Sequence, residues 1–257
     1  MKIRKTRCKT ALSKSRLPGL DYSLNPYRGC THNCAYCYVP NVMRISRGEW
    51  GSFVDIKTNI PVVLSKELKK KEKGIVGIST VTDPYQKVEK KYKLTRYCLE
   101  QLLIHDFPVC IQTKSDLILR DIDLISKFTD VEVMFSIGTI NDSERKILEP
   151  NSPSIKARLD ALKEFSKTNV NTSVFFGLIY PTINQDNVSK IIDVFISHGA
   201  KTIMLDKFNL KPGILENIIK SNPKDIKNLD NKKYYEDLFK EIKKICKEKN
   251  VDFTEAF

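Results

Sequence analysis

The sequence predicts an α/β fold whose parallel strands form a partial or full barrel, and three observations carry that expectation. From about residue 60 onward, short apolar runs rich in β-branched residues alternate with helix-period patterns, the signature of repeated β-α units. Of the 257 residues, 41% are hydrophobic and 29% charged, which suits an ordinary globular chain with one large core. Polar residues also collect after the expected strands: Ser79 to Asp83, Thr113 to Ser115, Ser136, Tyr180 to Asn184 and Asp206 to Asn209. In a parallel barrel the loops at these strand ends build the active site, and this favours a barrel over an open doubly wound sheet.

In chain order, residues 1–19 form a basic N-terminal arm, and a short strand near YSLN precedes a cysteine-rich loop. Strands are expected at GIVGIST (74–80), PVCIQT (108–113), VEVMFSI (131–137), NTSVFFGLI (171–179) and KTIMLD (201–206). A helix over roughly 87–104 carries Leu94, Cys98 and Leu102 on one stripe. Another has Ser152 as its cap, Pro153 in its first turn, and Ile155, Leu159, Leu162 and Phe165 as its core face. Val188, Ile191, Ile192, Phe195 and Ile196 recur at helical spacing, as do Tyr235, Leu238, Ile242 and Cys246 in a last helix over roughly 231–249. Cys98, Cys110 and Cys246 read as packing residues. The core thus spans 20–210, and 211–257 is a helical extension packed on it.

The net charge of +13 comes from 44 basic and 31 acidic residues, but it is unevenly spread. Ten basic residues within positions 1–50 face only Asp21 and Glu49, so this stretch holds +8 of the total. The lysines elsewhere lie mostly in mixed-charge helices and form solvated faces. A polyanionic partner such as nucleic acid fits the arm, as does a merely solubilising role. MKIRKTRCKTALSKSR lacks the apolar stretch of a signal peptide, and no run of about 18 apolar residues follows that would span a bilayer. A cytoplasmic protein without membrane contact is expected. In that reducing compartment seven cysteines, three of them clustered, point to metal binding or catalysis rather than disulfides.

RGCTHNCAYCYVP places Cys30, Cys34 and Cys37 within eight positions. A structural zinc site needs four ligands, usually as two short pairs, and a fourth is missing here, because His32 lies inside the loop. A cubane iron-sulfur cluster uses three thiolates on three irons and leaves the fourth iron open to a ligand. A non-enzymatic iron-sulfur or zinc protein that binds nucleic acid through the arm is the alternative, yet such a module needs no polar ring at the strand ends.

C-x3-C-x2-C with Tyr36 before the last cysteine is similar to the radical S-adenosylmethionine (SAM) enzymes. LNPYRGCTHNCAYCY, TVTDPYQ, TKSDLILRDIDL and LEPNSP together resemble the spore photoproduct lyase-related branch of that superfamily, over about residues 20–210. The resemblance implies a partial (β/α)6, TIM-like barrel with the cysteine loop after its first strand. It also implies a [4Fe-4S] cluster on Cys30, Cys34 and Cys37 whose open iron binds S-adenosyl-L-methionine. One electron, drawn from an external donor, cleaves the sulfonium to methionine and a 5'-deoxyadenosyl radical that abstracts hydrogen from substrate.

By the same resemblance Tyr36 lies beside the adenine, Lys114 and Ser136 hold the carboxylate or ribose, and Gly177 admits backbone close to the adenine. The residue types suit these roles: an ammonium for a carboxylate, a hydroxyl donor, and no Cβ to block approach. Asp83 accepts from the methionyl amine or caps a helix begun by Pro84. Arg158 could reach the cofactor, although its position alone reads as a surface helix residue. Tyr38 matches a relay tyrosine of the photoproduct lyases. The stretch STVTDPYQK offers no cysteine where those lyases carry the thiol that returns hydrogen, a departure that puts the lyase reaction itself in doubt.

Overall fold

A computed structural model of the chain describes residues 1–206, 212–221, 228–229 and 231–256. The polar positions expected at 207–209 and the boundary expected at 210–211 fall outside the described residues. An eight-stranded sheet forms the centre. Its strands are β2 (Leu12–Lys14), β3 (Tyr22–Leu24), β6 (Val76–Ile78), β7 (Val109–Thr113), β8 (Val131–Ser136), β9 (Asn171–Phe176), β10 (Thr202–Leu205) and β11 (Asp252–Glu255). From β3 to β11 they pair in parallel, in chain order, while β2 runs antiparallel to β3. Among the described residues β2 and β11 are not paired, so the sheet is open between them. A second sheet has the order β1 (Lys2–Thr6), β5 (Phe53–Lys57), β4 (Tyr27–Arg28).

Helices connect the parallel strands. They are α1 (Val39–Met43), α2 (Ile60–Leu68), α3 (Glu89–Tyr92), α4 (Leu94–Ile104), α5 (Ile122–Ile125), α6 (Asp142–Leu148), α7 (Ile155–Phe165), α8 (Gln185–Ser197), α9 (Ile214–Lys220) and α10 (Lys232–Glu248). A 3₁₀ turn at Asp116–Asp121 precedes α5. The six strands expected from the sequence are all present, and alternation sets their faces. Val109, Ile111, Val131, Val133, Val174 and Phe176 are buried with the helices' apolar stripes in one core. Burying each such side chain contributes roughly 1.5–3 kcal/mol.

Four local expectations need correction. The helix expected over 87–104 breaks at Lys93, which adopts φ +52°; the Glu89 carboxylate accepts from the Thr95 and Arg96 N–H groups and so starts α4 afresh. The cap of α7 is Ser154, which accepts from Ala157 at 3.2 Å, and not Ser152. DFTE adds β11, an eighth strand where only a helical extension is expected. Cys110 is no core residue: it is half-buried on the sheet face opposite Val109 and Ile111, with its Sγ 3.6 Å from Glu132 Oε2. Cys98 and Cys246 do lie in the core. Lys2, Arg4 and Lys5 of the arm lie on folded chain, since β1 pairs with β5 throughout its length. Among the described residues no helix is long and apolar enough to cross a membrane.

Candidate active site

The cysteine loop runs from β4 to α1 at the C-terminal end of the parallel strands, and three other segments hold it. Gly29, at φ +91°, opens it; a Cβ there would stand 2.4 Å from the Phe53 carbonyl oxygen, so only glycine fits this close approach. The loop after β6 clasps the same point. Gln86 donates to Gly29 O at 3.0 Å and accepts from Thr31 N–H at 3.0 Å, while Thr82 also donates to Gly29 O. Further on, Ala35 N–H donates to Leu148 O at 2.8 Å, and Asn217 donates to Ala35 O at 2.7 Å. Arg47 donates to Cys37 O at 3.0 Å.

Cys30 and Cys34 are buried and Cys37 is half-buried. Burial, reinforced by Asp83, pushes the Cys30 thiol up to about 12. Burial likewise raises Cys34 and Cys37, against the pull of Lys114 on both. Thiols in this setting become thiolates when strong positive charge reaches them, as metal ions provide. Among the described residues no three His, Cys, Asp or Glu side chains gather as they would around a single ion. Thiolates that each take a different iron of a cubane need not converge on one point, so the loop fits that group.

Tyr36, Asp83 and Lys114 come together around this loop. Lys114 Nζ lies 5.8 Å from the centre of the Tyr36 ring. Burial disfavours its charge, but Cys34 and Glu149 outweigh that effect and the ammonium is held more firmly than usual. Asp83 caps no helix: turns follow Pro84, and its oxygens accept from Tyr85 N–H, Thr113 Oγ1 and Lys114 N–H at 2.8–2.9 Å. It thereby ties the end of β6 to the end of β7, and its remaining lone pairs stay available to a ligand amine. His32 Nδ1 stands 3.5 Å from Asp83, and burial lowers the imidazole's pKa.

Ser136, at the end of β8, is buried; its Oγ accepts from Gln112 at 3.0 Å. Tyr38 is 43% exposed, and its hydroxyl donates to Thr80 O at 3.4 Å, in the stretch that lacks the lyase cysteine. Gly177 ends β9 against protein atoms. A Cβ there would approach Asp206 Cβ to 2.7 Å and the Phe175 ring to 2.8 Å.

Two buried charges beside Tyr36, Arg158 and Glu149, were not assigned from the sequence. Arg158, expected at the surface, is fully buried and donates to Glu149, Ser152 Oγ, Pro153 O and Ser136 O. The hydroxyl of Tyr36 donates to the same Glu149 carboxylate. Burial alone would raise Glu149, but Arg158 and Lys114 hold it down at about 2. Two signals were there to find it: Glu149 and Ser152 lie in LEPNSP, and Arg158 falls at the i+3 position of the stripe that starts at Ile155. Thr31, Ser79 and Tyr180 add buried hydroxyls with no hydrogen-bond partner among the described residues. Ser79 also carries φ +64° at the end of β6. Buried hydroxyls of this kind suit a polar ligand, and Tyr180 feels both Glu149 and Cys34.

The profile of the radical SAM superfamily matches residues 24–195, and the chain belongs to that superfamily. It is 36% identical over 184 residues to the uncharacterized protein MJ0683 of Methanocaldococcus jannaschii, covering 71% of this chain and 70% of that one. Similarity to the radical SAM Nalpha-GlyT isomerase of Pseudomonas phage M6 is 24% over 183 residues, 70% of this chain and 38% of the phage protein. Among solved structures, spore photoproduct lyase complexed with dinucleoside spore photoproduct shares the fold with a TM-score of 0.76. That match covers 99% of this chain and 82% of the lyase at 13% identity. The protein is therefore a radical SAM enzyme, a class defined by SAM cleavage and radical chemistry.

Proposed function

We propose that Cys30, Cys34 and Cys37 hold a [4Fe-4S] cluster, and that SAM binds its open iron against Tyr36, Asp83, Lys114 and Ser136; Gly177 instead makes room for Asp206 and the Phe175 ring. The observation that carries this reading is the meeting of two buried thiols and one half-buried one, the Lys114 ammonium and unpartnered hydroxyls at one end of the parallel strands. When bound, the cluster supplies the electron that cleaves SAM and so starts hydrogen abstraction from the substrate. The chain's own contribution is placement. Lys114 offers a cation to the methionyl carboxylate, Tyr36 a ring to the adenine, and the clasp of Gln86, Thr82, Leu148 and Asn217 fixes the loop and limits water.

Nucleic acid is the substrate class we favour, supported by the photoproduct lyase fold and by the uncancelled charge of +8 within residues 1–50. The lyase reaction itself is not proposed. Residues 79–87 hold no cysteine, and Cys110, the thiol on the inner face, lies toward the start of β7 rather than at the mouth. Tyr38 would act as a relay beside Thr80.

Anaerobic reconstitution tests the centre. Wild type should bind four irons and four sulfides and form 5'-deoxyadenosine on reduction with SAM, while Cys34→Ala should lose both properties. Full cluster retention in Cys34→Ala, or zinc as the only functional metal, would overturn the assignment. Lys114→Ala should keep the cluster but weaken SAM binding on the order of 10- to 150-fold, as loss of a charge-assisted hydrogen bond of about 1.5–3 kcal/mol requires.

A further inference from the structure

The turn at 46–51 carries the one tryptophan of the chain, Trp50, and the turn is held firmly against the cysteine loop. Arg47 donates to the Cys37 carbonyl at 3.0 Å. Trp50 N–H donates back to Ser46 O and Arg47 O at 3.1 and 3.2 Å, which closes the turn on itself. Gly51, at φ +83°, lies so close to Asn33 that a Cβ would stand 2.5 Å from the Asn33 Cγ, and only glycine lets the two segments meet. Lys2 N–H donates to Ser52 O at 2.7 Å, so β1 braces the far end of the turn. Held this way, the indole is buried with Cys30 and Val39, and Cys37 packs against the same group.

The thiols of the loop differ in what donates to them. Cys30 Sγ accepts from the backbone N–H groups of His32 and Asp83. Cys37 Sγ accepts from the backbone N–H of Val39 and from the indole N–H of Trp50. Backbone donors come with the path of the chain, whatever side chains it carries, whereas the indole donor exists only because residue 50 is tryptophan. A buried indole N–H needs an acceptor, and here the acceptor is a thiol of the cysteine motif. An N–H dipole aimed at a thiolate favours the state with more negative charge on sulfur. Reduction of an iron-sulfur cluster adds such charge, so hydrogen bonds to its sulfurs raise its reduction potential.

We propose that Trp50 is a positioning residue outside the cysteine motif that sets the potential of the centre: its indole N–H donates to the Cys37 thiolate and makes the centre easier to reduce. The inference rests on the proposed function, which puts a [4Fe-4S] cluster on Cys30, Cys34 and Cys37. The indole serves in two ways at once. Its ring fills the space beside Cys30, Cys37 and Val39 and keeps water from it, and its N–H supplies the hydrogen bond that the excluded water would have made. Arg47, tied to the Cys37 carbonyl in the same turn, fixes the distance between donor and sulfur.

The test replaces the sole tryptophan by β-(3-benzothienyl)alanine, which keeps the size of the indole and puts sulfur in place of the N–H. Both proteins are reconstituted anaerobically, and the midpoint potential of the cluster is read by EPR during a mediated titration with dithionite. Loss of the donor should make reduction about tenfold less favourable, a shift of about 59 mV to more negative potential for a one-electron couple, with iron and sulfide content unchanged. An equal or less negative potential in the fully loaded analogue protein would overturn the role of Trp50 and leave the centre intact. No cluster signal in wild type would overturn the centre itself. Should the analogue protein fail to fold or to bind iron, wild type decides alone. With its tryptophan labelled by heavy nitrogen in the indole, ENDOR of the reduced cluster should show that nitrogen and its exchangeable proton coupled to the spin, and absence of both couplings would reject the proposal.

Discussion

Two ion networks reach the cysteine loop or the strand just ahead of it, and water reaches only one of them. In the first, the buried carboxylates of Glu89 and Asp121 meet Arg120 and Arg96, whose side chains are 22% and 26% exposed. Glu89 also accepts from the Tyr27 hydroxyl, just ahead of the loop, and from the first N–H groups of α4. In the second, Glu149 and Arg158 are sealed at 1% and 0% exposure, with Ser152 bonded to both. Arginines of the first network can turn to solvent if a partner is lost, and those of the second have no such refuge. The sealed pair stands against Tyr36, Lys114 and Ser136. A costly buried charge is therefore placed where the position of the loop matters most, and the hydrated network serves the scaffold.

The largest effect that would sharpen this contrast is expected for Arg158→Met. It strands Glu149 in the interior and should lower stability by about 3–5 kcal/mol, measured by denaturant unfolding. Adding Glu149→Leu should recover most of that loss, since replacing a buried pair by apolar groups is often near neutral. SAM affinity should not recover with it, because Tyr36 stays unanchored. Recovery of both would reduce the sealed pair to scaffold and break the comparison.

Acid gives the next effect. Glu149 is depressed from 4.5 to about 2 in the folded protein, so its contribution is present above pH 4.5 and is lost as pH falls from there toward 2. Its size is on the order of 3 kcal/mol. Glu149→Gln should flatten stability over that window, and an unchanged pH profile would show that the pair is weaker than its burial implies. Arg120→Met should cost less, about 1–3 kcal/mol, because Glu89 keeps Tyr27 and the α4 N–H groups, and Asp121 keeps Arg96. SAM affinity should be unaffected by it; a loss as large as that of Arg158→Met would erase the distinction between the networks. The smallest change is Ser154→Ala, which removes the α7 cap that leads into Arg158. About 1 kcal/mol is expected, read as a small drop in Tm.

Much of the site was legible because its signals are local. Three cysteines in eight positions restrict the metal chemistry whatever the rest of the chain does. Lys114 and Ser136 could be assigned to strand ends because each lies at the C-terminal end of a short, β-branched-rich apolar run, PVCIQT and VEVMFSI. The misreadings have a common form. Arg158 reads as a surface residue because its charge outweighs its place in the stripe of Ile155, Leu159 and Leu162. Cys110 reads as core because a strand pattern does not say which of its two faces meets the helices. Ser152 reads as a cap, although Ser154, two residues on, accepts the N–H bond.

The sequence by itself determined the strand-helix alternation, the polar strand ends and the thiol spacing, because each depends on residues within a few positions of one another. Only the tertiary structure decided that Glu149 and Arg158 form a sealed pair behind Tyr36, that β1 lies beside the 46–51 turn, and that Trp50 closes the loop over Cys30 and Cys37. These depend on which distant segments meet: a buried charge or indole becomes favourable only when its partner arrives from elsewhere in the chain, and no local pattern records that partner.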